Sequence, residues 1–170
     1  MNQEYFDKNE DICYEKLIDF NEHTGCFNKI ERQEWKSAVD ALASGKNEKE
    51  YAIELKWREN YDLVKKDYQN FYIQNDKGFE DNTLFIESHK LCALLLEKTY
   101  SNRNPLYINF FRNGFATVHN VATLKNKPDF DKEKTIKSKG YDKMEVSKRY
   151  LLPLADSVIY NNKYDIINTP

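Results

Sequence analysis

Glu54 and Lys56 stand two residues apart in Glu50-Tyr-Ala-Ile-Glu-Leu-Lys-Trp-Arg58, and Asp40 lies upstream of them. If this apolar stretch is a β-strand, both side chains leave the same face, because strand side chains alternate with a period of two. Two charges on an otherwise apolar face cost free energy if they are buried unpaired. A divalent cation would justify them. Asp40 and Glu54 would supply hard oxygen ligands, and Lys56 would offset charge on an attacking water or a scissile phosphate. The competing reading is an exposed edge strand with a cross-strand ion pair, worth under about 1 kcal/mol. For Asp40 the competing reading is a turn residue or helix cap.

Chance must be weighed, because 32% of the chain is charged. A second acid-x-Lys triplet exists, Glu34-Trp-Lys36, with Asp19 upstream of it. Its surroundings are mostly polar and lack sustained alternation. Glu54 instead follows Tyr51-Ala-Ile53, which reads as a buried strand. The Gly45-Lys-Asn47 turn suits a hairpin that brings Asp40 beside that strand.

The order Asp40, then Glu54-Leu-Lys56, resembles the PD-(D/E)xK nuclease superfamily, over roughly residues 15–124. Val39 stands where that signature has proline. The resemblance implies a restriction-endonuclease-like α/β fold, a central mixed sheet flanked by helices. It implies Mg²⁺-dependent hydrolysis of DNA phosphodiesters, with Mn²⁺ able to substitute. Asp40, Glu54 and Lys56 would be catalytic, and Asp40, Glu54 and the Leu55 carbonyl would hold the metal. A first helix often adds a glutamate, for which Glu15 is the candidate; a solvent-facing acid is the alternative. Lys90 from the later helix, and Arg58, would contact nucleic acid, against a surface Glu87–Lys90 pair as the alternative for Lys90. A homodimer is a further expectation. A second function class stays open: a non-catalytic module binding nucleic acid or protein, with Glu54 and Lys56 paired to each other.

The elements that must position these residues follow from periodicity. Residues 4–22 read as an amphipathic helix ended by Thr24-Gly25. A strand is expected to reach Asp40, and the strand 50–58 follows. Residues 59–82 read as a long polar connection carrying Tyr61, Tyr68, Phe71 and Tyr72, ending in the turn Asn75-Asp-Lys-Gly78. Residues 83–100 read as one helix whose start could be a short strand; Glu87 and Lys90, three apart, share a face. Leu106–Phe111 and Phe115–Val121 read as strands joined by Arg112-Asn-Gly114, the best hairpin signal in the chain. The expected order is helix, strand, strand, helix, strand, strand. Tyr150–Ala155 reads as a docking segment.

At 170 residues one domain is expected, with a core over about residues 10–124 and a Lys-rich extension over 125–170. Net charge is −2, which argues against many nonspecific phosphate contacts. The charge is uneven: residues 1–24 are acidic, and Lys125 to Arg149 is basic on balance, suiting a basic face. Cys13, Cys26 and Cys92 show no CxxC spacing, so a reduced cytoplasmic protein with buried thiols is expected and a zinc ribbon is excluded. No secretory signal or membrane span is read. Ser44-Gly-Lys46 lacks the glycine and Ser/Thr of a phosphate loop. His23, His89 and His119 lack metal-site spacing, and His119 reads as structural.

Overall fold

The computed structural model describes residues 3–34, 37–67, 70–124, 129–131 and 149–170. Helix α1 spans Gln3–Thr24. Cys13, Leu17 and Phe20 recur at helical spacing and are buried against the sheet. Gly25 ends the helix at φ +59°, a backbone conformation that favours glycine. The Asn21 side chain then clamps Phe27, accepting from its N–H at 2.7 Å and donating to its carbonyl at 3.1 Å.

Strands β1 (Phe27–Arg32), β2 (Ala41–Gly45) and β3 (Glu50–Arg58) form an antiparallel meander. The strand expected to reach Asp40 starts one residue after it, so Asp40 sits at the mouth of the β2–β3 hairpin. Strand β2 is built of small residues apart from Leu42. Gly45 has no room for a side chain, since a Cβ there would meet Tyr51 Cε2 at 2.6 Å.

Residues 59–82 are a correction. Instead of one polar loop they hold β4 (Asp62–Lys65), β5 (Phe71–Gln74) and β6 (Glu80–Asp81), a separate three-stranded antiparallel sheet. Leu63, Phe71 and Ile73 point into the core and hold it there. The Asn75–Gly78 turn is present, with Asn75 Oδ1 accepting from Lys77 and Phe79 N–H. Tyr68, Trp35 and Lys36 lie outside the described residues. The first five residues of the expected 83–100 helix form strand β7 (Thr83–Glu87), and helix α2 covers Ser88–Ser101. Leu84 and Ile86 alternate into the core, which is strand periodicity.

Strands β8 (Asn104–Phe111) and β9 (Ala116–Asn120) form the expected hairpin. Strand β8 runs parallel to β3, from Tyr51 opposite Asn104 to Arg58 opposite Phe111. Strands β10 (Asp129–Asp131), β11 (Arg149–Pro153), β12 (Val158–Tyr160) and β13 (Ile166–Asn168) follow. The central sheet has the order β1-β2-β3-β8-β9-β12-β13, and β10-β11-β7 forms a third sheet. The expected C-terminal extension thus supplies two strands of the central sheet. Of the basic stretch Lys125 to Arg149, residues 125–128 and 132–148 lie outside the described residues.

The class is the expected one, α/β with a large central mixed sheet flanked by helices. Helix α1 covers one face, where Cys13, Leu17 and Phe20 meet Ala41, Ala43, Ile53, Leu55, Ile108 and Phe110. On the other face α2 and the small sheets cover Ala52, Tyr107 and Phe111. Among the described residues no helix is long and apolar enough to cross a membrane.

Candidate active site

Asp40 is placed by backbone pairing. Its N–H donates to Ile53 O at 3.0 Å, and its Oδ2 accepts the Leu55 N–H at 2.7 Å. The side chain thereby takes over the ladder where β2 stops, since Ala41 opposite Ile53 is the last β2–β3 pair on that side. A strand residue sends N–H and C=O from the same edge, so the Leu55 carbonyl leaves β3 on Asp40's side.

Glu54 projects from the face covered by α2 and is only 7% exposed. Lys90, in the first turn of α2, reaches across to it. Its Nζ lies 2.9 Å from Glu54 Oε1 and 3.1 Å from Oε2, and 3.8 Å from Asp40 Oδ1. Two carboxylates therefore converge on one positive charge. Burial, with Asp40 adding to it, pushes the Glu54 carboxyl up to about 8 against the opposing pull of Lys90 and Lys56. For Lys90, burial disfavours the charged amine, but Glu54 and Asp40 outweigh it and hold the amine above its ordinary value.

Lys56 is exposed and lines the same cleft, about 680 Å³ in volume. Among the described residues it has no ion-pair partner. The pairing of Glu54 with Lys56, envisaged for a non-catalytic module, is absent: Glu54 takes Lys90 instead. Lys90 is likewise not half of a surface Glu87–Lys90 pair.

Two expected positions fall differently. Glu15 is exposed on α1 and lies off the cleft, whereas Glu10 lines it together with Cys13 and Tyr14. The sequence carried that signal: Glu10 is three residues before Cys13, on the stripe that continues through Leu17 and Phe20, and Glu15 falls on another side of the helix. Arg58 was expected to meet nucleic acid, but it is 6% exposed and committed inward. Its Nε donates to Asn109 Oδ1 at 2.9 Å, and its Nη2 donates to Tyr107 Oη at 3.0 Å and Phe85 O at 3.2 Å. The Phe85 ring stacks 4.7 Å from the guanidinium carbon. Arg58 therefore braces the floor behind the cleft.

Three residues the sequence reading missed, Tyr107, Asn109 and Thr117, continue this floor together with His119. Register sets Tyr107 beside Glu54 and opposite His119, and Asn109 beside Lys56 and opposite Thr117. These four are buried, so a polar row crosses three strands under α2 and β7. His119 is structural, its Nε2 meeting Pro153 O at 3.0 Å; burial lowers its pKa to about 4. Cys13 is buried behind the acids, and burial, with Asp40 adding to it, pushes its thiol up to about 12. Cys26 and Cys92, expected as buried thiols, are exposed.

No family model matches the chain, and no curated protein does. Among solved structures the chain is similar to a Holliday junction resolvase from Archaeoglobus fulgidus, an archaeal hyperthermophile. The TM-score is 0.49 at 11% identity, over 86% of this chain and 84% of that one. At that level the chemistry of the site is read from its own side chains.

Those side chains fit a hard divalent cation in donor type. Asp40 and Glu54 both bring carboxyl oxygens to within 3.8 Å of Lys90 Nζ, and the Leu55 carbonyl shares the edge. Among the described residues no group of three or more His, Cys, Asp and Glu gathers in ligand geometry, so water would complete the coordination.

Proposed function

We propose that the chain is a metal-dependent nuclease of the PD-(D/E)xK type that hydrolyses DNA phosphodiester bonds. One observation carries the reading: the Asp40 and Glu54 carboxyl groups meet at a single cation position, on Lys90 Nζ at 3.8 and 2.9 Å, beside a Lys56 on the same strand face that has no ion-pair partner among the described residues. Asp40, Glu54 and the Leu55 carbonyl would hold Mg²⁺ or Mn²⁺. When bound, such an ion supplies Lewis acidity at the phosphate and lowers the pKa of a nearby water.

The chain's own groups do the rest. Asp40 is held rigid by its two backbone bonds to β3, so the carboxylate needs little reorganisation. Glu54, buried and fixed on a central strand, sets the depth of the site. Lys56, exposed at the cleft, orients the attacking water and offsets negative charge as the water oxygen bonds to phosphorus and the ester P–O bond breaks. Lys90 offers a second ammonium to phosphate oxygens, and Glu10 rather than Glu15 is the helical acid facing the cleft.

A second reading, a binding module that retains the fold without catalysis, is favoured by the same contact, because Lys90 Nζ already fills the gap between Asp40 and Glu54. Cleavage of plasmid, single-stranded and branched DNA with Mg²⁺ or Mn²⁺ separates the two. Metal-dependent cutting that disappears in both Asp40→Ala and Lys56→Ala supports the nuclease. Intact DNA with clean wild-type protein, and no Mn²⁺ uptake by calorimetry, supports the module.

A further inference from the structure

Lys90 occupies the position an incoming cation must take. Its three N–H donors face both oxygens of Glu54 and the outer oxygen of Asp40. Leu91 and Leu94 anchor α2 in the core, so the helix backbone is fixed. The side chain is 27% exposed and reaches the cleft on a flexible four-carbon stem. The ammonium can therefore swing without any movement of the helix.

The charge balance is tight. Once Glu54 is ionised, without Lys90 the two acids would face each other with only Lys56 nearby, and Glu54 is almost wholly buried. Leaving one side of such a pair uncompensated is strongly unfavourable. A divalent cation and the ammonium cannot share the gap either, because like charges that close in a partly buried site repel strongly.

We infer that Lys90 is the resident counter-cation of the site, and that a divalent cation binds by exchange with its ammonium, which moves into the cleft. This rests on the metal reading proposed above. Displaced from the acids, the ammonium needs a new anionic partner, and a nucleic-acid phosphate in the cleft provides one. Metal and phosphate then assist each other's binding, by the same factor in both directions. Lys90 thus acts as a positioning residue that sets metal affinity.

The test is Mg²⁺ affinity without nucleic acid, by calorimetry, for wild type, Lys90→Met, Lys90→Arg and Lys56→Met. The pH is held above the Glu54 value of about 8, so that protons do not compete. Exchange predicts roughly tenfold tighter binding for Lys90→Met, a step of about 1.4 kcal/mol. Lys90→Arg, which keeps the resident charge, stays near wild type, and Lys56→Met changes affinity less than Lys90→Met. Nitrogen NMR of the lysine Nζ groups gives a readout on wild type alone: the Lys90 signal moves to that of a solvated ammonium as Mg²⁺ saturates. Equal or weaker binding by Lys90→Met, or an unmoved Lys90 signal at saturation, overturns the exchange and leaves the metal reading standing. Failure of all four proteins to bind Mg²⁺ overturns both.

Discussion

Replacing Glu54 with glutamine removes a buried acid whose pKa rises from 4.5 to about 8 on folding. The folded protein holds the Glu54 proton more tightly than the unfolded chain does. Between those two values the unfolded state has released the proton and the native state has not. Stability therefore falls as pH rises through the window, at up to 1.36 kcal/mol per pH unit. The full window sets a ceiling of about 5 kcal/mol, or roughly 10–20 °C in Tm for a chain of this size. Glutamine keeps the shape and does not titrate. Urea unfolding in a chelating buffer, on wild type and Glu54→Gln from pH 4.5 to pH 8, reads the effect as a difference between curves. The difference is the right quantity because other groups also titrate there. Wild type should lose stability relative to Glu54→Gln by a few kcal/mol across the window. Parallel curves would refute the idea that burial dominates at Glu54.

Three other outcomes follow from the packing. His119 is pushed down to about 4 by burial, so the unfolded chain takes up a proton first as pH falls. Its contribution is present above pH 6.5 and is lost toward pH 4, with a ceiling of about 3 kcal/mol; His119→Gln should flatten that acid limb in urea titrations, and an unchanged limb would count against it. Arg58→Met strands the buried Asn109 Oδ1 and removes a charge-assisted bond to the Tyr107 hydroxyl, which keeps its bond to Phe85 O; a loss of about 3 kcal/mol is expected in urea unfolding, whereas a loss under about 1 kcal/mol would mean that Arg58 does not brace the floor. Iodoacetamide on native protein should label Cys26 and Cys92 and spare Cys13, whose thiol is buried and pushed up to about 12; rapid labelling of Cys13 by mass spectrometry would show that α1 opens away from β3.

Much of the site was legible because strand alternation is a strong local rule. Glu54 and Lys56 had to share a face once 50–58 was a strand, and the Gly45 turn brought Asp40 across. The missed features are long-range or short. In the sequence Lys90 reads as pointing at the site, with a surface pair to Glu87 as the alternative; its contact with Glu54 is not legible there, because the gap that Glu54 opens under α2 is set by tertiary packing. Arg58 alternates with Lys56 and shares its face, yet β7 covers one and leaves the other open. Strands β4 to β6 are two to four residues each, too short for periodicity to stand out among polar neighbours. Glu10 was readable from the Cys13-Leu17-Phe20 stripe, which a strict helical count would have favoured over Glu15.

The parallel pairing of β3 with β8 also shapes how the chain folds. Strands β4 to β7 and helix α2 lie between the two partners, so this contact closes late compared with the β1–β2–β3 meander or the β8–β9 hairpin. Strand β8 is buried along seven of its eight residues, and until β3 receives it, it is a sticky apolar edge. Refolding should therefore be slow and should lose yield as protein concentration rises, since a second chain's β3 can capture β8 before its own does.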